Sequence, residues 1–578
     1  MYKPLAVPLI LLPACTSVEA PHPSTPGATA SRPPWPHGAM VAAANPHATD
    51  AAIEMLARGG HAVDAAIAAH AVLGLVEPQS SGLGGGGFLL VFERAAGELT
   101  FLDGREVAPA GATVDMFVRD GRVMSFVEAW QSGAAVGVPG AVALYASAHE
   151  RYGALPWPEL FAPAIRLATD GFEVSPRLAR LIPLAAERGR LDENPFTAAY
   201  FFPYGEPLRA GDMLRNPEYA HTLSRIASEG PSAFYTGEIA AAIAAAAREE
   251  PDPGALTVED IAAYEVVERP VVCGEFRRLD VCTTSPPSSG AAQIMITSLY
   301  DHLADEAADR DARMAAFVDA QRLAYADRDH YFGDPDEVDV PLGGLLDPAY
   351  LRQRARERFA PDAPPTPGDP GLVLRGEPVA GRWAPDTTEE APGTTHLSIV
   401  DGDGNAVSMT ATVESAFGSH RWAAGFLLNN EMTDFARDVP ADGSRPANAV
   451  TPGRRPRSSM SPTIVFDAAE ELLMVTGSPG GNSIPAYVAK TLLGILAWGM
   501  SAQEAVDYPN VIARGETVRV EISVEPGLSI AKALRARGYE VQEREGENSG
   551  LHVVVVRDTG LEGAADKRRE GTVRTLPP

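Results

Sequence analysis

Cysteine is scarce in this chain: Cys15, Cys273 and Cys282 are the three in 578 residues. Neither Cys273 nor Cys282 has a histidine at metal-ligand spacing, which excludes a thiolate metal site there. Positive charge is short as well, with 48 Lys and Arg against 76 Asp and Glu and a formal net charge of −28. There is no long basic tract, so a nucleic-acid partner is excluded, because phosphate binding needs a basic surface. Such a balance describes a soluble, self-repelling chain. Long apolar runs are missing too. The run from Leu5 to Leu12 is too short to span a bilayer as a helix. No HExxH occurs, His61 and His70 are not at metal spacing, and no GxSxG nucleophile elbow is present. The glycines of GLGGGG (82–87) have no Lys-Ser/Thr after them. They also precede a strand, whereas a dinucleotide site places them after one. Their expected role is a tight turn or close backbone packing. The acidic stretch DRDHYFGDPDEVD (327–339) lacks the alternating ligands, central Gly and terminal Glu of an EF-hand, and is expected to be a solvated loop. Nothing here calls for a metal or an organic cofactor.

What remains is ordinary globular composition, 45% hydrophobic and 21% charged. The length suits one large intertwined fold or two to four domains. Lys3, the short apolar run and Leu12-Pro13-Ala14-Cys15 read as a bacterial export signal over 1–15. Two forms fit: an ordinary cleaved signal, or a lipoprotein signal in which Cys15 is acylated. Residues 16–39, rich in Pro, Ser and small side chains, read as a disordered tether. The expected location is the periplasm or a bacterial membrane surface. Cys273 and Cys282 lie on two short strands around a turn. In an oxidising periplasm they pair across that hairpin; two buried thiols is the alternative.

Folded sequence is expected from about Met40. HATDAAIEMLARGG reads as a helix ended by Gly59-Gly60, and AVDAAIAAHAVLGLV, apolar almost all round, as a buried one. Strands are expected at Phe88–Phe92 and Leu99–Leu102, and a helix over ARMAAFVDAQRLAYADRDHY. Residues 359–393, full of Pro, Gly and acids, read as an exposed, mobile segment. A β-hairpin follows at once: TTHLSIV and AVSMTATV, joined by Asp401-Gly402-Asp403-Gly404-Asn405. More strands (PTIVF, LLMVTG, HVVVVRD) and helices near Ser483–Trp498 and at SIAKALRARG complete a mixed α+β chain.

The abrupt passage from the Pro-rich run to a hairpin opening Gly393-Thr394-Thr395-His396 stands out. Residue chemistry alone reads Thr394 as a good strand former. A wider pattern changes that. NPHATDAAIEMLARGGHAVDAA, EPQSSGLGGGG, LDGREVAPA, TTHLSIVDGDGNAVSMTATVESAFGS, GFLLNNEMTDF, RPRSSMSPTIVF, TGSPGGNSI and GAADKRREG occur in the order seen in gamma-glutamyltransferases, so the chain resembles that family over about residues 40–570. The resemblance implies an N-terminal-nucleophile hydrolase with a four-layer αββα fold. It also implies self-cleavage between Gly393 and Thr394 into a large subunit (40–393) and a small subunit (394–578). The freed α-amine, with a pKa of about 7.7–8.0 unperturbed, would serve as base to the Thr394 hydroxyl.

By the same resemblance Thr412 hydrogen-bonds the nucleophile, and Gly480 and Gly481 form an oxyanion hole. Arg105, Ser458 and Ser459 grip the substrate α-carboxylate. Asp434, with Glu431 and Glu414, faces the α-ammonium. The bland alternatives are a structural ion pair for Arg105, a turn for Ser458-Ser459 and a helix cap for Asp434. Two departures stand out. Glu414 replaces an Asn common in bacterial transferases, and the stretch from Asp434 to Ser458 is short, without an aromatic lid. The implied activity is transfer or hydrolysis of a γ-glutamyl group from a glutathione-like donor to an amino acid, a peptide or water. Rival readings are a glutaryl-amide (cephalosporin) acylase, a poly-γ-glutamate transpeptidase, and a surface binding protein on an inactive scaffold.

Overall fold

The computed structural model describes residues 34–578, apart from 306–308, 358, 387, 389 and 438–442. The expected signal, Cys15 and most of the expected tether lie outside the described residues. Trp35, assigned to the tether by composition, packs on the body: its indole N–H donates to the Gly38 carbonyl at 2.9 Å, and Arg94 lies 5.3 Å over its ring.

Two antiparallel sheets form the centre. The first has seven strands in the spatial order Thr572–Leu576, Ala39–Ala43, Gly393–Val400, Ala406–Glu414, Gly86–Glu93, Glu98–Gly104 and Val267–Arg269. The second has six: Gly560–Ala565, His552–Arg557, Leu472–Gly477, Thr463–Phe466, Leu279–Thr284 and Val271–Phe276. Strand alternation explains why they stack. Along Gly86–Glu93, Leu89 and Val91 join a core with the helices Pro46–Ala57 and Ala62–Val76. Phe88, Leu90 and Phe92 face the other way, into a core shared with Val281, Ile464 and Val475 of the second sheet. The helices Gly290–Leu303, Arg310–Tyr331 and Ile484–Leu496 complete that second core. The order is helix, sheet, sheet, helix, the expected αββα sandwich.

The Gly-rich run is close backbone packing. A Cβ on Gly84 would sit 2.1 Å from the Leu427 carbonyl oxygen, and one on Gly85 only 1.9 Å from that of Thr412. These glycines let the Gly86–Glu93 strand enter directly beside the hairpin strand carrying Thr412. Cys273 and Cys282 face each other across their strand pair and are disulfide-bonded.

Two expectations fail. The acidic stretch 327–339 is only partly a solvated loop: Asp336, Glu337 and Asp339 are exposed, but Asp327, Arg328, His330 and Asp334 are buried. Its first residues end the long Arg310–Tyr331 helix, with Asp327 paired to Arg354 at 2.8 Å and Arg328 to Asp329 at 2.8 Å. Nor is 359–393 uniformly exposed. Asp369 caps a short helix, Pro370–Arg375, and Asp386, Thr388 and Glu390 are buried. Ion pairs, not apolar contacts, hold it in: Asp386 meets Arg457 at 2.9 Å and Glu390 meets Arg328.

Candidate functional site

The site forms where the hairpin, the Gly-rich entry and the second sheet's helix meet. Thr394 lies in the Gly393–Val400 strand and pairs with Thr412, while Gly393 pairs with Glu414. Val413 is therefore the extra residue of a β-bulge, which bends the strand beside the Gly393–Thr394 bond. Glu414 follows with φ +76°, a left-handed conformation rare for a side-chain-bearing residue.

This geometry fixes a proton order. The Thr412 hydroxyl donates to the Gly393 carbonyl at 2.9 Å and accepts from the Glu414 N–H at 2.8 Å. Thr394 Oγ1 lies 3.2 Å from Thr412 Oγ1. Thr412 has one proton and gives it to Gly393, so Thr394 is the donor in the Thr394–Thr412 contact. Arg569 anchors the Thr394 carbonyl from the other side, at 2.7 Å. Burial, then the Arg177 charge, lowers the Arg569 guanidinium to about 9.

Gly480 (φ +140°) and Gly481 (φ +55°) make the turn between the Leu472–Gly477 strand and the Ile484–Leu496 helix. A Cβ on Gly481 would meet the Glu390 carbonyl oxygen at 2.4 Å, so the residues before Thr394 lie flat against this turn. Only about 10 Å³ is left for solvent in the cleft lined by Thr394, Thr412, Glu414, Ser459 and Gly481, no more than one water occupies. A larger cavity of about 430 Å³, between Arg322 and Tyr539, contains none of these residues.

One wall is acidic. Arg105 is fully buried and already engaged at every guanidinium nitrogen: Nε with the Pro456 carbonyl at 2.7 Å, Nη1 with Glu431 at 2.5 Å, and Nη2 with Asp434 at 2.7 Å and the Arg457 carbonyl at 2.6 Å. Burial pushes the Glu431 and Asp434 carboxyls well above the usual range, helped at Glu431 by the Asp434 and Glu414 charges and at Asp434 by those of Glu414 and Glu390; burial also raises Glu414 and Glu106. Glu431 Oε2 and Asp434 Oδ1 find no hydrogen-bond partner among the described residues. Such a wall gains from an incoming ammonium. Asp434 closes a short 3-10 turn, Glu431–Asp434.

Ser458 and Ser459 are held by the loop after the Leu279–Thr284 strand and by the Arg310–Tyr331 helix. The Ser458 N–H donates to the Pro287 carbonyl at 2.8 Å, and the Ser459 hydroxyl accepts from Arg328 at 2.7 Å. The structure thus brings together Gly393, Thr394, Thr412, Glu414, Glu431, Asp434, Arg105, Ser458, Ser459, Gly480 and Gly481. Sequence reasoning passed over Glu390, Arg328, Arg457 and Arg569. Arg457 directly precedes the serines and Glu390 lies four residues before Thr394; both positions were visible, but isolated charges read as solvated.

Comparison with known proteins finds relatives along most of the chain. The sequence model described as Gamma-glutamyltranspeptidase matches residues 48–576. The chain is 38% identical over 542 residues to the glutathione hydrolase proenzyme of Escherichia coli (strain K12), covering 92% of this chain and 90% of that protein. It is 31% identical over 545 residues to the capsule biosynthesis protein CapD proenzyme of Bacillus anthracis, with the same two coverages. Among solved structures, the cephalosporin acylase from Bacillus halodurans superposes with a TM-score of 0.82 at 27% identity, covering 97% of this chain and all of that one.

Proposed function

The chain belongs to the gamma-glutamyltranspeptidase family, and on that premise we propose how its own residues carry the reaction. It is a γ-glutamyl hydrolase and transferase, made as a proenzyme that processes into two subunits and acts on glutathione-like donors. The cut falls between Gly393 and Thr394. Thr412 polarises the Gly393 carbonyl while the Thr394 oxygen, its proton turned to Thr412, attacks that carbon. As the new C–O bond forms, the Gly393–Thr394 C–N bond breaks and the hydroxyl proton passes to the Thr394 nitrogen; water then hydrolyses the ester, freeing the Gly393 carboxylate and restoring the Thr394 hydroxyl. The single observation that carries this reading is the hydrogen-bond chain from the Thr394 hydroxyl through that of Thr412 to the Gly393 carbonyl.

Cleavage leaves Thr394 with a free α-amine titrating near about 7.7–8.0, which takes the hydroxyl proton as the same oxygen attacks the γ-glutamyl amide. Backbone N–H groups at Gly480 and Gly481 stabilise the developing oxyanion once the 390–393 backbone no longer covers them. The donor's α-ammonium turns to Glu414, Glu431 and Asp434, and its carboxylate end to Ser458 and Ser459, with Arg105 holding the acidic wall in place. An amino acid, a peptide or water then takes the acyl group. Residues 1–15 as export signal and the Pro-rich stretch before Trp35 as tether assign the enzyme to the periplasm or, through Cys15, to a membrane surface.

Denaturing electrophoresis of wild type beside Thr394→Ala tests the cut. Two chains are expected for wild type, the smaller beginning Thr-Thr-His-Leu, and one inactive chain for the variant. An uncut wild type that is fully active would sink the mechanism. The acidic wall separates this reading from a glutaryl-amide acylase, the activity named for the Bacillus halodurans neighbour. γ-Glutamyl-p-nitroanilide is expected to exceed glutaryl-p-nitroanilide in kcat/KM by about ten-fold or more, the size of one charge-assisted contact. That margin should widen as pH rises through the raised carboxyl pKa values, because ionised Glu431 and Asp434 attract the ammonium. Equal turnover of both donors at every pH would transfer the chain to the acylase reading.

A further inference from the structure

The cavity of about 430 Å³ between Arg322 and Tyr539 lies apart from the cleft and follows from a stripe of alanines. On the Arg310–Tyr331 helix, Met314, Phe317 and Val318 fill the second core. Ala312, Ala315 and Ala316 follow one another at helical spacing along another stripe, and each ends at a methyl group. Leu303, Phe359 and Pro365 line the space that this leaves. Protein interiors are normally packed without such gaps, and the volume falls within the range of small-molecule sites.

Two guanidiniums line the same space. Arg322, from the alanine-bearing helix, is 3% exposed. Its Nη2 donates to the Ala360 carbonyl at 2.9 Å and also to that of Ala363, and its Cζ lies 5.7 Å from the centre of the Tyr539 ring. Nη1 is 3.4 Å from Asp319 Oδ1. Nε has no hydrogen-bond partner among the described residues. An unpaired buried N–H of a charged group is costly, and a water there would need two or more polar partners. Arg537, exposed at the end of the Gly527–Ala536 helix, supplies the second positive charge.

The acids nearby do not answer that donor. The Tyr539 hydroxyl donates to Asp319 Oδ1 at 2.8 Å, so the Asp319 carboxylate is already taken by Tyr539 and Arg322 Nη1. Glu357 pairs with Arg354. Asp305 is exposed, where water and salt screen it. The cavity therefore offers a cationic N–H beside alkyl and aromatic walls. A carboxylate suits the first through a charge-assisted hydrogen bond, and an apolar body suits the second. A glutamyl compound suits neither, because its ammonium would lie against methyl groups.

We propose that this cavity is a second binding site, which takes a small monocarboxylic acid with an apolar body. The carboxylate sits at Arg322 Nε with Arg537 at the mouth, and the apolar body lies along the alanine stripe toward Leu303 and Phe359. None of these residues belongs to the cleft, so the inference stands apart from the family reading.

Octanoate is the probe, titrated calorimetrically into the purified full-length protein. One saturable site is expected. Octylamine and octanol are expected to bind about ten-fold or more weakly than octanoate, the first for its charge and the second for want of a charge-assisted hydrogen bond. Ala312→Trp fills the cavity from the stripe without altering either guanidinium, and it should weaken octanoate at least ten-fold. Arg322→Gln should do the same. Should that variant fail to fold, because Arg322 also ties the Ala360 and Ala363 carbonyls, Ala312→Trp decides. Excess glutamate, which carries the charges of a γ-glutamyl group, should leave octanoate binding unchanged. Octanoate that does not saturate, that glutamate displaces, or that binds Ala312→Trp as well as wild type overturns the proposal. Octylamine or octanol binding as tightly as octanoate overturns it too.

Discussion

At the scale of single residues, burial decides what each polar group does. His70 shows this away from the site. It is wholly buried, its Nδ1 is 2.5 Å from the Tyr145 hydroxyl, its Nε2 has no hydrogen-bond partner among the described residues, and desolvation lowers it to about 3. The folded chain therefore keeps His70 neutral while the unfolded chain protonates it below about 6.5. Stability from this group is complete above that pH and is lost as pH falls toward 3, since the unfolded state binds the extra proton. Replacing His70 by Gln should spare about 2 kcal/mol of the stability lost between pH 6.5 and 4.5. Urea denaturation of wild type and variant at the two pH values measures the difference; identical losses would show that His70 takes no part. The acids of the cleft obey the same physics with the opposite sign. Desolvation raises them, and only a neighbouring guanidinium, as at Glu390, reverses it.

At the scale of elements, the bulged hairpin and its glycine neighbour are coupled. The Gly86–Glu93 strand approaches so closely that Gly85 touches the Thr412 carbonyl. Gly85→Ala should force the strands apart, cost about 2–3 kcal/mol as overpacking does, and slow self-cleavage by moving Thr412. Thermal denaturation and the fraction of uncut chain report the two effects; a stable, fully cleaved Gly85→Ala protein would refute the coupling. The hairpin, the almost wholly apolar Ala62–Val76 helix and the second-sheet strands were legible because their apolar patterns are local. The 386–390 stretch was not. Proline and acidic residues spell loop, and the partners that bury Asp386 and Glu390 come from residues 328 and 457. Ion pairs formed across such distances leave no periodic trace. The nucleophile was likewise legible only through resemblance, since Thr394 by itself is a strand residue.

At the scale of the whole molecule, the two expected subunits share one sheet. Ala39–Ala43 lies between Thr572–Leu576 and Gly393–Val400, so a strand of the large piece is hydrogen-bonded on both edges by the small piece. The second sheet alternates as well, with Leu279–Thr284 paired to Thr463–Phe466. Neither piece keeps a closed core without the other. The cleaved protein should therefore unfold in one transition, with subunit separation and loss of tryptophan fluorescence sharing a single urea midpoint. Separation well before unfolding would contradict this sharing.

The grip of Arg569 on the Thr394 carbonyl, described above, sets a timetable. Arg569 follows Thr394 by 175 residues in the chain, yet it helps seat that much earlier residue. A nascent chain that has not reached Arg569 lacks the clamp on the backbone of its own nucleophile. Chain order thus ties the seating of Thr394 to synthesis of the segment that carries Arg569.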